Sequence, residues 1–284
     1  MKPTPSINAT FERLRRQRCA AFIPFLAAGD PDISTTGELI KAAAACGADI
    51  IELGVPFSDS IADGPTIQAA FYRALDHGFR VSQVFELVKG LRADGFDTPL
   101  VCMVSYTLVY KRSLSEFLSA CKEAGFQGLI IPDLPAGYEG DAAERAANAG
   151  LDLIFLIAPT TTPERRELIA RRSAGFIYYI SVTGITGARG VLPTDLTEQA
   201  QKIKVLTRTP VCVGFGISRP EQAAAVATVA DGVIVGSALV RRVNEAAAKN
   251  LRGQALVQHV AELLNPLAAS VHQPRRERLQ NSYT

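Results

Sequence analysis

The chain has 284 residues, more than most single domains but a usual length for one α/β barrel. Its 30 basic and 28 acidic residues give a net charge of +2, and the last fifteen residues, with three arginines against one glutamate, account for all of it. The neutral remainder argues against nucleic-acid or acidic-membrane binding as the main business of the fold.

Residues 1–7 read as a loose, Pro-rich start. A short helix is predicted over 8–18, with apolar Phe11 and Leu14 and a capping Asn8 or Thr10. Its arginines (13, 15, 16 and 18) read as a solvated face. A first strand covers 21–28, and a helix over 34–45 is closed by Gly47. The second strand, 50–54, is followed by helices over 65–75 and 81–93. The third strand covers 99–105 and its helix 113–124. The fourth covers 127–132, with a helix at 139–149, and the fifth 151–158. Thr162 caps the next helix, with Pro163 at its first position, running to 172. The sixth strand is 175–181, followed by a loop over 182–193 and a helix over 195–206. The seventh is 210–214 with a helix at 220–229, and the eighth 231–235 with a helical run over 238–266.

Eight apolar strands alternating with helices predict a parallel sheet covered on both faces. Eight such units predict a (β/α)8 barrel, the TIM fold, as one domain over 1–269 with a short N-terminal helix. An open doubly wound sheet is the runner-up, but no Gly-x-Gly-x-x-Gly follows the first strand. Residues 270–284 read as a polar, flexible tail. No apolar run approaches the ~20 residues of a membrane span, and MKPTPSINAT lacks a signal peptide's apolar core. Five cysteines without a Cys-x-x-Cys pair read as small hydrophobes in a reducing, cytoplasmic compartment.

In a barrel the carboxyl ends of the strands face the active site. Glu52 stands at such an end, within the otherwise apolar Ile50-Ile51-Glu52-Leu53. It is either a core Glu paired with a structural arginine or a titrating group used in chemistry. Asp63 lies on the loop after it and Tyr178 on the sixth strand. Asp59 reads as a loop-bonding Asp. Strands six to eight end in glycine turns, around Gly184, Gly214 to Gly216, and Gly236-Ser237. Together with a helix N-terminus these suit a phosphate, without needing a cation, although ordinary tight turns are the alternative. None of the eight lysines falls in a strand, which disfavours a Schiff-base aldolase. The three histidines are scattered, which disfavours a zinc aldolase.

FIPFLAAGDP, LGVPFSDSIADGPTIQ, YYISVTGITGARG, GFGIS and ADGVIVGSALV closely resemble the tryptophan synthase alpha chain family, over about residues 11–267. The resemblance implies retro-aldol cleavage of indole-3-glycerol phosphate to indole and glyceraldehyde 3-phosphate. It implies a tryptophan synthase β chain as partner in an α2β2 heterotetramer, with pyridoxal phosphate only in that partner and no cofactor in this chain. Position by position it implies Glu52 as general acid/base, Asp63 on the indole N–H, and Tyr178 beside Glu52. Thr186 would hold Asp63 in the closed state. Gly184, Gly216, Gly236 and Ser237 would bind the phosphate, and Phe25 and Phe215 would flank the indole. Two departures stand out. Ser60 replaces the family's usual proline, which implies a looser loop around Asp63. Tyr106 is not followed by the family's Asn-Pro, in a region that in the family lies near the partner.

Overall fold

A computed structural model of the chain describes residues 4–138, 140–180, 194–214 and 216–274. A leading helix α1 (Ile7–Gln17) precedes β1 (Ala21–Ala27), α2 (Ile33–Ala45), β2 (Ile51–Gly54), α3 (Pro65–Asp76) and α4 (Val81–Ala93). Next come β3 (Leu100–Met103), α5 (Tyr106–Arg112), α6 (Leu114–Ala124), β4 (Gly128–Ile130), α7 (Ala142–Asn148), β5 (Asp152–Ile154) and β6 (Leu156–Ile157). The chain continues through α8 (Pro163–Arg172), β7 (Ile177–Ile180), α9 (Thr194–Leu206), β8 (Val211–Gly214) and α10 (Pro220–Val229). It ends with β9 (Gly232–Val235), α11 (Ser237–Ala248) and α12 (Gly253–Val271).

All strand pairs are parallel, in the order β5-β4-β3-β2-β1-β9-β8-β7-β6. Only Phe155 separates β5 from β6, so the two ends of this order are one chain segment and the sheet closes into a (β/α)8 barrel. The first half of that segment pairs with β4 and the second with β7. The expected fifth strand is therefore one element that changes partner midway.

Side chains alternate across each strand. The outward set packs with the helices in the larger core, for example Phe22, Leu26, Ile51, Leu53 and Val213. The inward set fills the barrel, with Ile23, Ile50, Val101, Ile130, Ile154, Phe176 and Ile234. Ile7, Phe11 and Leu14 of α1 join this interior set. Their i, i+4, i+7 spacing puts them on one stripe, with which α1 plugs the barrel floor. Its cap is Ser6, whose hydroxyl accepts from Ala9 N, and not Asn8 or Thr10. Thr10 is buried and its hydroxyl instead donates to Ser6 O at 3.1 Å.

The floor holds one buried carboxylate, Asp49. Oδ1 accepts from Arg13 Nη2 at 2.7 Å; Oδ2 accepts from Phe22 N at 2.9 Å and lies 2.7 Å from His272 Nε2. Arg13 is thus committed to the fold, unlike the purely solvated arginine expected there. Three of the five cysteines are buried, while Cys19 and Cys46 are partly exposed; all five are free thiols.

Helix α5 was not foreseen. Ser105 caps it by accepting from Thr107 N, in a segment with no amphipathic stripe long enough to read. Nor does the last helix stop at Pro266. Leu264, Leu267, Ala268 and Val271 are all buried, and that packing offsets the one backbone hydrogen bond a proline removes. Ser270 and Val271 are buried within α12, so order continues past the expected boundary at 269.

Candidate active site

Glu52 is the middle of an inward-facing row, Ile50, Glu52, Gly54, at the upper end of β2. It is 1% exposed, and among the described residues neither carboxylate oxygen has a hydrogen-bond partner. Among the described residues no arginine pairs with it, so the structural ion pair that a core Glu would need is missing there. Burial pushes its pKa up to about 8, and the nearby Asp63 carboxylate adds to the rise.

Asp63 hangs from the loop between β2 and α3. A turn fixes it: Asp63 N donates to Ser60 O at 3.0 Å. The Gln68 side chain, on the first turns of α3, grips both ends of that turn. Its Nε2 donates to Ser60 O and to Asp63 O, each at 3.0 Å. The loop therefore has an anchor despite the serine in the proline position. Burial raises the Asp63 pKa to about 6; Ser60 opposes the rise and Asp133 reinforces it. The Ser60 hydroxyl is itself buried without a hydrogen bond of good geometry, so its influence is one of proximity. Asp133, at the end of β4, accepts from Ser105 Oγ and Tyr106 N, both at 2.7 Å. Asp59 accepts from the Ser58 hydroxyl at 2.8 Å, as a loop residue does.

Tyr178 points inward from β7. Its hydroxyl is held protonated well above the usual phenol range by burial and by the neighbouring Glu52 and Asp63 carboxylates. Room for the ring comes from Gly214 on the paired strand, where a Cβ would sit 2.7 Å from the Tyr178 oxygen. Gly54 does the same for Phe25, where a Cβ would meet the ring at 2.5 Å. Phe25 packs against Phe71, ring centroids 6.5 Å apart.

Two cavities open at this end of the barrel. One is lined by Asp59, Ser60, Asp63, Phe71, Met103 and Asp133 among others. The second, the roomier of the two, is lined by Gly64 to Ile67, Tyr178, Gly216, Gly236, Ser237 and Arg241. Gly236 caps α11 without a side-chain hydrogen bond. Leu239 N and Val240 N turn back to Gly236 O, at 2.8 and 3.1 Å. The N–H groups of Ser237 and Ala238 precede these and have no carbonyl within the helix to meet. The second cavity thus has the glycine walls and free backbone donors that an anion needs.

Of the residues expected from sequence, Asp63 lines the first cavity, and Tyr178, Gly216, Gly236 and Ser237 line the second. Glu52 and Phe25 are buried behind these walls, Glu52 within electrostatic reach of one wall residue of each. Gly184, Thr186 and Phe215 lie outside the described residues. Sequence reasoning assigned no role to Gln68, Arg241, Ser105 or Asp133. Among the described residues no group of three or more His, Cys, Asp and Glu could hold a metal ion, and no helix is long and apolar enough to cross a membrane.

Known proteins place this geometry in context. The family described as tryptophan synthase alpha chain matches residues 11–271. A tryptophan synthase alpha chain of Rhodopirellula baltica is 47% identical over 245 residues, 86% of this chain and 88% of that protein. One from a Thermoanaerobacter species is 42% identical over 261 residues, 92% and 97% of the two chains. The crystal structure of tryptophan synthase subunit alpha from Legionella pneumophila superposes with a TM-score of 0.86. It shares 34% identity over 93% of this chain and 97% of its own.

Proposed function

The chain belongs to the tryptophan synthase alpha chain family, and from that premise we propose which of its own residues do the chemistry. The protein is a lyase. It cleaves indole-3-glycerol phosphate to indole and glyceraldehyde 3-phosphate in tryptophan biosynthesis, and its partner is the tryptophan synthase β chain in an α2β2 complex.

Cleavage breaks the bond between the indole ring carbon and the glycerol chain. The electron pair of that bond must go into the ring, and the adjacent hydroxyl must become an aldehyde. Glu52, with a pKa near 8, is mostly protonated at neutral pH, so it gives its proton to the ring carbon first. The ionised carboxylate then takes the proton of the glycerol hydroxyl, and the acid is regenerated as the bond breaks. Protonating the ring leaves positive charge on the indole nitrogen. Asp63, with a pKa near 6, is mostly ionised and accepts the N–H, stabilising that charge. Two carboxylates at one mouth thus divide the work because their surroundings push their pKa values apart.

The ring serves as its own electron sink in this scheme, so the chain supplies neither lysine nor cofactor; the pyridoxal phosphate belongs to the β chain. Tyr178 braces the pocket beside Glu52, and Phe25 packs at the indole end. Gly216, Gly236 and Ser237 take the phosphate, and Gly184, Thr186 and Phe215 complete the site on the family pattern. The neutral chain surface and its thiols suit a cytoplasmic enzyme with no nucleic-acid role.

One observation carries this reading: a fully buried carboxylate with no partner among the described residues, at a strand end, next to a second one on a loop. The test is cleavage of indole-3-glycerol phosphate by Glu52→Gln and Asp63→Asn, alone and with a β chain. Each should lose about 10²–10⁴-fold, the usual worth of an acid–base group. Near-wild-type turnover by Glu52→Gln would remove it from the mechanism. Wild-type turnover that does not rise with the β chain would make this a stand-alone lyase.

A further inference from the structure

We propose that Arg241 is the cation that holds the substrate's phosphate as a dianion and sets the preference for phosphorylated glycerol side chains. The proposal rests on the phosphate lying in the glycine-walled cavity, and it corrects the expectation that a neutral backbone cup is enough there.

Arg241 and Arg242 are neighbours on α11 with opposite fates. Arg242 is committed to packing: Nε donates to His259 O at 2.9 Å, Nη2 pairs with Glu262 at 2.6 Å and Nη1 with Glu245 at 3.7 Å. Arg241 makes no hydrogen bond or ion pair among the described residues, and it lines the cavity with Gly216, Gly236 and Ser237. It follows Ser237 by four residues. Helical side chains lean toward the N-terminus, and residues four apart stack on one face. A long side chain at 241 therefore reaches back over the first turn, where the free N–H groups are.

The placement has no structural return. A cation within the first turns of a helix works against the positive end of its dipole, and among the described residues no carboxylate pairs with it. The cavity, however, shares Tyr178 with the Glu52 and Asp63 side, where the Asp63 carboxylate already pushes the Glu52 pKa up. A phosphate dianion brought to this mouth adds two more negative charges. Neutral backbone donors orient it but leave that repulsion standing; an unpaired guanidinium relieves it and adds a charge-assisted hydrogen bond. Arg241 touches only the non-reacting end of the substrate, so it contributes to binding in the ground and transition states alike.

The experiment measures kcat and KM for indole-3-glycerol phosphate in the αβ complex at low and moderate salt. The variants are Arg241→Gln, Arg241→Lys and Ser237→Pro, with thermal melting as a check on folding. Proline is tolerated at a helix's first position but has no N–H, so Ser237→Pro removes a backbone donor of the cup and leaves Arg241 in place. Arg241→Gln should raise KM on the order of tenfold at low salt with kcat within about twofold, as loss of one charge-assisted contact predicts. The gap from wild type should narrow as salt rises, and Arg241→Lys should recover most of the affinity. If Ser237→Pro raises KM while Arg241→Gln leaves it unchanged, the phosphate site stands and the role of Arg241 falls. If neither variant moves KM, the phosphate does not sit in this cavity and both readings fall.

Discussion

Two carboxylates three residues apart in sequence, Asp49 and Glu52, are both buried and have opposite surroundings. Asp49, at the floor, is met by Arg13, by the Phe22 amide and by His272. Glu52, at the mouth, has no hydrogen-bond partner among the described residues. Burial alone therefore does not mark a functional group. Asp49 is ringed by donors, whereas ionising Glu52 forces charge into an unreceptive pocket. The floor uses its carboxylate to join elements; the mouth keeps one in readiness for a proton.

Exchanging the losses of the two residues is the sharpest way to break this contrast. Glu52→Gln should lower cleavage by about 10²–10⁴-fold with the fold intact, read from turnover and melting temperature together. Asp49→Ala should do the reverse. It strands the Phe22 amide and frees Arg13 and His272, at roughly 2–3 kcal/mol of stability measured by denaturant titration. Arg13 is half exposed, which keeps the figure below that of a fully buried pair. Its kcat should stay within a few-fold of wild type.

The pH dependence of stability sharpens the contrast next. The folded-state pKa of Glu52 is about 8 against an ordinary 4.5, so the folded chain binds this proton more tightly than the unfolded one. Stability is therefore whole below about pH 4.5 and is lost as pH rises toward 8, on the order of 3 kcal/mol by pH 7. Glu52→Gln carries no such loss, and its melting temperature should gain on wild type across that window. Parallel melting curves would mean that Glu52 finds a partner in solution. Catalysis should follow a bell in kcat/KM, with limbs near 6 and 8 that belong to the coupled Glu52–Asp63 pair. Asp63→Asn should flatten the acid limb. The smallest effect belongs to His272→Ala, roughly 1 kcal/mol for one partly exposed contact, with no change in the pH profile of turnover.

Much of the mouth was legible because a barrel turns strand ends into one face, so a list of those ends is a list of neighbours. Glu52, Tyr178, Gly216, Gly236 and Ser237 entered that way. What stayed hidden was long-range or aimed against the local pattern. Asp49 finds its partners 36, 27 and 223 residues away, and nothing in its own strand reports them. Arg241 sits on a helix, where periodicity gives a face but not which of two adjacent arginines is spoken for. Gln68 was read as part of a motif, but that its amide spans the Ser60–Asp63 turn depends on how α3 meets the loop. Ser60 suggested a loose loop, and the side chain that restrains it lies eight residues on. The break at Phe155 follows from closing a ring of strands, a property of the whole sheet rather than of residues 151–158.

The Asp49 cluster also has a topological consequence. Arg13 belongs to the first helix and His272 follows the last one, and they meet on a single carboxylate at the face opposite the mouth. The first helix and the end of the last one are therefore near neighbours. A short linker joining them, with new termini opened in an exposed helix connection of the outer ring, would give a circular permutant whose catalytic loops are untouched.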